Sequence, residues 1–238
     1  MNVLRRTVSA LLTTAVLAVA PALAPAKAEV AISTPIAPRV NYGSGYWGGV
    51  VGGPVETGNI QTADVALYGD SIASRCGAYL RTALAAKGKT LYTYTWSGQN
   101  TKGLFDAALS ALRQPPTVIM AAGTNDVFQP PLVGPQIAKA KSYAAEAGTH
   151  LMWVDTYVGR STYLAADVRN SGWVNGQIYS QIGQGDVIGW NAALGYAVGR
   201  GRALSYYLQD GVHPWATAGT GHGNGCSFWA GVIAAGVR

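Results

Sequence analysis

From residue 62 to its end the chain alternates short runs of β-branched and aromatic residues with longer stretches whose apolar residues recur at helical spacing. The strand-like runs fall at 64–68, 89–96, 117–122, 151–157 and 186–190. The helical stretches fall at 72–87, 101–113, 135–147, within 162–182 and at 228–235. Such alternation predicts an α/β fold of three αβα layers, a parallel five-stranded sheet covered by helices on both faces. On open sheets of this kind ligands bind beyond the carboxyl ends of the strands, so the residues that follow each strand are the ones to inspect for chemistry.

The segment ahead of this pattern is of another kind. Arg5 and Arg6 precede an apolar stretch at 8–19 and small residues ending in Ala26-Lys27-Ala28, the layout of a secretory signal peptide whose apolar core is too short to span a bilayer. Cleavage is expected after Ala28, because a cut after Ala24 would leave Pro25 at the new terminus. Residues 29–60, with Ser44, Gly45, Gly48, Gly49, Gly52, Gly53 and Pro54, lack hydrophobic periodicity and read as a Gly/Pro-rich arm or linker. Tyr42, Tyr46 and Trp47 are candidates to dock that arm on the domain. Residues 61–238 then form one domain, with no internal repeat and no room for a second. The export signal places the protein outside the cytoplasm, secreted or associated with a bacterial cell envelope, with no stable membrane span.

Loss of the leader removes three basic residues and no acidic one, so the formal net charge drops from +6 to +3. No Lys/Arg cluster remains, which argues against nucleic acid as a partner. A monomer is expected. Cys76 and Cys226 are the only cysteines. In an oxidising compartment a lone pair is most simply one disulfide, worth roughly 3–5 kcal/mol for a loop of this length. Two buried thiols are the alternative, and a metal site lacks a second Cys or His at ligand spacing.

Three segments follow or adjoin predicted element ends: Gly69-Asp70-Ser71, Gly123-Thr124-Asn125-Asp126 and Asp210-Gly211-Val212-His213. Ser71 sits where strand turns into helix, a position that serves either an exposed hydroxyl nucleophile or an ordinary helix cap. The Asn125 amide can donate to an oxyanion without any charge of its own, or simply serve a turn. Asp210, three residues before His213 in a Gly-containing turn, can hold one imidazole nitrogen while the other faces a nucleophile. His150 and His222 have no such partner nearby in sequence; the first reads as a strand-start residue and the second as a loop residue.

Taken in order, these segments resemble the blocks of the SGNH (GDSL-type) hydrolases, a family of esterases and lipases. The first block is present as Gly69-Asp70-Ser71-Ile72, with Ile where the family usually has Leu; the others are Gly123-Thr124-Asn125-Asp126 and Asp210-Gly211-Val212-His213-Pro214. The remaining block, a glycine after the second strand, is matched by Gly98 in Trp96-Ser97-Gly98-Gln99-Asn100. The resemblance spans residues 62–238 and implies a flavodoxin-like SGNH fold. It further implies Ser71 as nucleophile, His213 as base and Asp210 as its orienting partner. The oxyanion hole would be formed by the backbone N–H groups of Ser71 and Gly98 and the side chain of Asn125, with no metal and no cofactor. Two-step hydrolysis of a small-molecule, glycan or lipid ester through an acyl-enzyme is the activity implied. A transacylase acting on an envelope glycan or lipid, or a non-catalytic envelope-binding protein, are the rival readings. Phe128, Pro130, Pro131, Leu132, Val133 and Trp215, with Trp173 and Trp190, are candidates for an acyl pocket or a sugar-stacking platform, or for plain packing.

Overall fold

The computed structural model describes residues 49–111 and 113–238. The expected leader, the arm as far as residue 48 and its aromatic residues Tyr42, Tyr46 and Trp47 lie outside the described residues. Elements follow in the order β1 (Val55–Thr57), β2 (Val65–Gly69), α1 (Ser71–Ala85), β3 (Leu91–Thr95), α2 (Thr101–Ser110), β4 (Thr117–Ala121) and α3 (Val133–Glu146). The chain continues with β5 (His150–Val154), α4 (Leu164–Ile182), β6 (Val187–Ile188), α5 (Trp190–Gly199) and α6 (Gly225–Gly236).

The sheet order is β1-β3-β2-β4-β5-β6. Leaving β1 aside, every pair is parallel, and the chain runs from β2 to one side and then back across to the other. This is the flavodoxin-like order, with its switch point at the carboxyl end of β2. All five residues of β2 are buried, as a central strand covered on both faces requires. Leu67, Ile119 and Trp153 on neighbouring strands have no exposed surface, and each such side chain contributes about 1.5–3 kcal/mol of burial. Helices α1, α5 and α6 pack on one side of the sheet and α2, α3 and α4 on the other.

Helix starts are set by short polar side chains. Asp70, Asn100 and Asn224 each accept a backbone N–H of the turn they open, at 2.9, 3.1 and 2.8 Å. At the far end of α6, the Lys87 ammonium donates to the Ala234 and Val237 carbonyls, satisfying acceptors that the helix leaves open. Cys76 of α1 and Cys226 of α6 form a disulfide across the two helices. Among the described residues no helix is long and apolar enough to cross a membrane.

Two expectations are corrected. The sheet has six strands rather than five, because Val55–Thr57, inside the segment read as an irregular arm, pairs antiparallel with β3 at the edge. Three exposed residues show no readable alternation, and the strand owes its form to the backbone ladder of its neighbour. The fifth expected run, 186–190, shrinks to Val187–Ile188, and Trp190 instead opens α5, a helix absent from the sequence reading. Its composition, apolar nearly all round, hides the amphipathic period that betrays the other helices.

Candidate active site

Gly69, the last residue of β2, is paired with Thr95 of β3 on one side and Ala121 of β4 on the other. Ser71, Gly98 and Asn125 therefore all follow the same rung of the sheet within a few residues, and they gather at one edge. Ser71 is the first residue of α1, so its N–H has no carbonyl partner within the helix and stands at the positive end of the helix dipole.

The Ser71 hydroxyl lies 2.9 Å from His213 Nε2. On the other side of the ring, Nδ1 lies 2.8 Å from Asp210 Oδ2. Asp210 Oδ1 accepts the backbone N–H groups of Val212 at 3.0 Å and of His213 at 2.7 Å. Burial pushes the Asp210 carboxyl up, but the His213 side chain and these two amides outweigh it and hold the group well below the usual carboxylate range. Asp210 is thus an anion at neutral pH, aimed at one imidazole nitrogen. The other nitrogen is left to exchange a proton with Ser71.

The loop carrying His213 is tied from several sides. The Gln209 N–H donates to the His213 carbonyl at 2.8 Å, and Leu208 bridges Pro214. Arg75, one turn along α1 from Ser71, donates to Gln209 Oε1 at 2.7 Å and to the Pro214 carbonyl at 3.4 Å. Gly159 donates its N–H to the Gly211 carbonyl at 3.0 Å. Gly211 has φ +82°, and a Cβ there would stand 2.3 Å from the Gly159 carbonyl oxygen, so the approach of the two segments needs glycine. The next residue, Arg160, is bound through its backbone N–H, Nε and Nη2 to the fully buried Asp167 carboxylate of α4.

On the opposite flank, Asn125 Nδ2 donates to the Gln99 carbonyl at 2.9 Å, linking the β4 loop to the glycine loop after β3. An amide nitrogen carries two hydrogens, so one remains for a ligand. Beside it, buried Asp126 accepts the Thr101 N–H at 2.9 Å and hydroxyl at 2.8 Å, fixing the loop against the start of α2. Burial raises the Asp126 carboxyl, and the Thr101 bonds oppose that rise. Gly98 has φ +79°, and a Cβ there would come 2.1 Å from the Gly49 carbonyl oxygen. The described end of the arm lies over this loop through Val51 N–H to the Ser97 carbonyl and Trp96 Nε1 to the Gly52 carbonyl, at 2.9 and 3.0 Å.

Of the apolar candidates, Phe128 and Leu132 line a small pocket with Asn125, Asn100, Asp126 and Gln129, with room of about 20 Å³. Pro130 and Val133 are buried instead, and Trp190 is fully buried in the core against Phe228. Trp173 is half-buried and packed on the core. Trp215 stacks on His222 with ring centroids 4.0 Å apart. His150 opens β5 and meets Asp186 at 2.8 Å, a partner 36 residues away that proximity in sequence could not reveal. The supports at Arg75, Gly159 and Thr101 were missed for the same reason, whereas the Arg160–Asp167 pair, close in sequence, carries no motif that marks it.

No family model matches the sequence, and no curated protein matches it. Solved structures do match the fold. The C-terminal catalytic domain of peptidoglycan O-acetyltransferase A from Streptococcus pneumoniae aligns at 19% identity and a TM-score of 0.50, covering 73% of this chain and 92% of that one. A member of the lipolytic G-D-S-L family from Veillonella parvula aligns at 19% identity and 0.53, covering 72% and 94%. An acetylxylan esterase from Geobacillus stearothermophilus aligns at 13% identity and 0.54, covering 74% and 92%. The fold is that of the SGNH (GDSL-type) hydrolases.

Proposed function

We propose that the protein is a carboxylic ester hydrolase working through an acyl-enzyme. The observation that carries this reading is the continuous chain of hydrogen bonds from Ser71 through His213 to an ionised Asp210. His213 Nε2 removes the hydroxyl proton as Ser71 Oγ attacks the ester carbonyl, and Asp210 stabilises the imidazolium that forms. The Ser71 and Gly98 N–H groups and the remaining Asn125 N–H stabilise the tetrahedral oxyanion. Its collapse breaks the bond to the alcohol, which leaves with the proton from His213. Water then repeats the sequence on the acyl-serine and releases the acid.

The esterases among the matching structures support this chemistry, and acyl transfer to a second alcohol is the second reading because one matching domain is a peptidoglycan O-acetyltransferase. Residues 1–28 are read as a cleaved export signal and 61–238 as the catalytic domain; the Cys76–Cys226 disulfide supports export to an oxidising compartment outside the cytoplasm. A fluorophosphonate probe tests the core of the reading. Wild type should be labelled and Ser71→Ala should not, with ester turnover lost in parallel. Equal turnover in the two proteins would exclude the mechanism. Product analysis with and without sugar acceptors separates hydrolysis from transfer.

A further inference from the structure

Asp70 and Ile72, the two chain neighbours of Ser71, line a small cavity with residues at the carboxyl ends of β4 and β5 and with Trp190 and Trp229, with room of about 10 Å³. A space of this size is at the lower limit for admitting one water molecule. Two polar atoms on its lining residues have no protein partner among the described residues: Asp70 Oδ2, an acceptor, and Trp190 Nε1, a donor. Both residues are 1% exposed. Buried polar groups are almost always paired, and leaving both of these unsatisfied is costly.

The neighbouring groups are already engaged. Thr124 Oγ1 pairs with Thr156 Oγ1 at 3.0 Å. The Asp155 oxygens accept the Asn191 N–H at 2.6 Å and the Tyr179 hydroxyl at 2.9 Å. The ligand must therefore donate to a carboxylate and accept from an indole N–H at once. A metal cation or an ammonium cannot accept from the indole, and a halide cannot donate to the carboxylate. Water does both.

We propose that this cavity binds one ordered water molecule, donating to Asp70 Oδ2 and accepting from Trp190 Nε1, and that Asp70 and Trp190 act through it as positioning residues for Ser71. The coupling is short. Asp70 Oδ1 accepts the Ile72 N–H, so the plane of its carboxyl sets the first turn of α1, where the Ser71 hydroxyl and N–H both reside. Burial pushes the Asp70 carboxyl up to about 6, opposed by the Ile72 N–H, by the nearby Thr124 hydroxyl, which does not reach hydrogen-bond geometry with Oδ2, and by the charge of His213, and assisted by Asp126. Asp155 is the other titratable group on the cavity wall. A water donating to Asp70 favours the ionised carboxylate, and an indole donating to that water strengthens the effect.

The kinetic half of this proposal rests on the hydrolase reading; the water site does not. A crystal structure of the wild-type protein at a resolution that shows solvent should reveal one density peak within about 2.6–3.2 Å of both atoms. A dry cavity, or Asp70 Oδ2 bonded directly to Thr124 or Trp190, overturns the site. Trp190→Phe keeps an aromatic ring, though a smaller one, and removes the indole N–H donor. It should lower kcat about fivefold, the worth of one hydrogen bond, with KM unchanged and the Asp70 inflection in the kcat–pH profile displaced upward. If that variant does not fold, Asp70→Asn should abolish the inflection; an unchanged profile in the variant that folds overturns the positioning role. Fluorophosphonate labelling of wild type reports separately on the hydrolase reading.

Discussion

Asp70 and Asp210 stand on either side of the same serine, one as its chain neighbour and the other through the His213 ring, and their surroundings drive them in opposite directions. Asp210 is half in water, yet two amides and an imidazole hold it far on the ionised side. Asp70 is sealed from solvent with one hydrogen bond, from the Ile72 N–H, and burial pushes it up to about 6 against that donor, the nearby Thr124 hydroxyl and the His213 charge. Exposure alone would have ranked them correctly only by accident. What separates them is the number of donors pointed at the charged form, measured against the cost of removing it from water. The half-exposed group is suited to be a permanent anion in the reaction, whereas the sealed one changes charge just below neutrality.

The largest effect should come from Asp210→Asn, which removes the anion and disturbs the imidazole tautomer; turnover should fall about 10³–10⁴-fold while Asp70→Asn costs less than about tenfold. A comparable loss in both would erase the distinction between them. Gly211→Ala comes next. Its Cβ would collide with the Gly159 carbonyl and swing the loop bearing Asp210 and His213, so turnover should drop about 10²-fold while the helix that Ser71 opens stays native by circular dichroism. Reduction of Cys76–Cys226 should lower the melting temperature and the activity together, since the bond joins the helix that Ser71 opens to the segment behind His213. An unchanged melting curve in reductant would refute that link.

The smallest effect is on stability against pH, and it should differ in sign between the two carboxylates. Asp70 and Asp155 have folded-state values raised to about 6 and about 7, both mainly by burial, so the native state holds protons that the unfolded chain releases. Their contribution is present in full below the unfolded value near 3.8 and is lost as pH rises toward 6 and 7. Asp210, depressed instead, contributes above its unfolded value and loses that contribution as pH falls through its folded one. Asp70→Asn should therefore flatten the decline between about pH 4 and 6, by on the order of 2–3 kcal/mol, and leave the acid side untouched. Urea titrations across pH would detect it.

Much of the candidate site was legible in the sequence because the residues that the fold brings together lie in short segments, each at the carboxyl end of a strand or before the last helix. Asp210 and His213 are three residues apart, and Ser71 adjoins a strand whose apolar run is plain. The supports were illegible for the complementary reason. Arg75 meets Gln209 across 134 residues, and Thr101 meets Asp126 across 25. Such pairings depend on the sheet order, which no local pattern encodes. In the fold, β1 escaped because three exposed residues carry no period, and α5 because Asn191-Ala192-Ala193-Leu194-Gly195 offers little contrast between faces.

The bond between α1 and α6 also alters the distance along the covalent chain between the Ser71 hydroxyl and the His213 ring. Ser71 and His213 are 142 positions apart along the backbone. Through the sulfur bridge the path is five residues on one side and thirteen on the other. Loop closure costs less over so short a tether, so a heat-unfolded but still oxidised molecule keeps alcohol and imidazole within a small shared volume. Recovery of turnover after a thermal pulse should then be far more complete for the oxidised protein than for the reduced one.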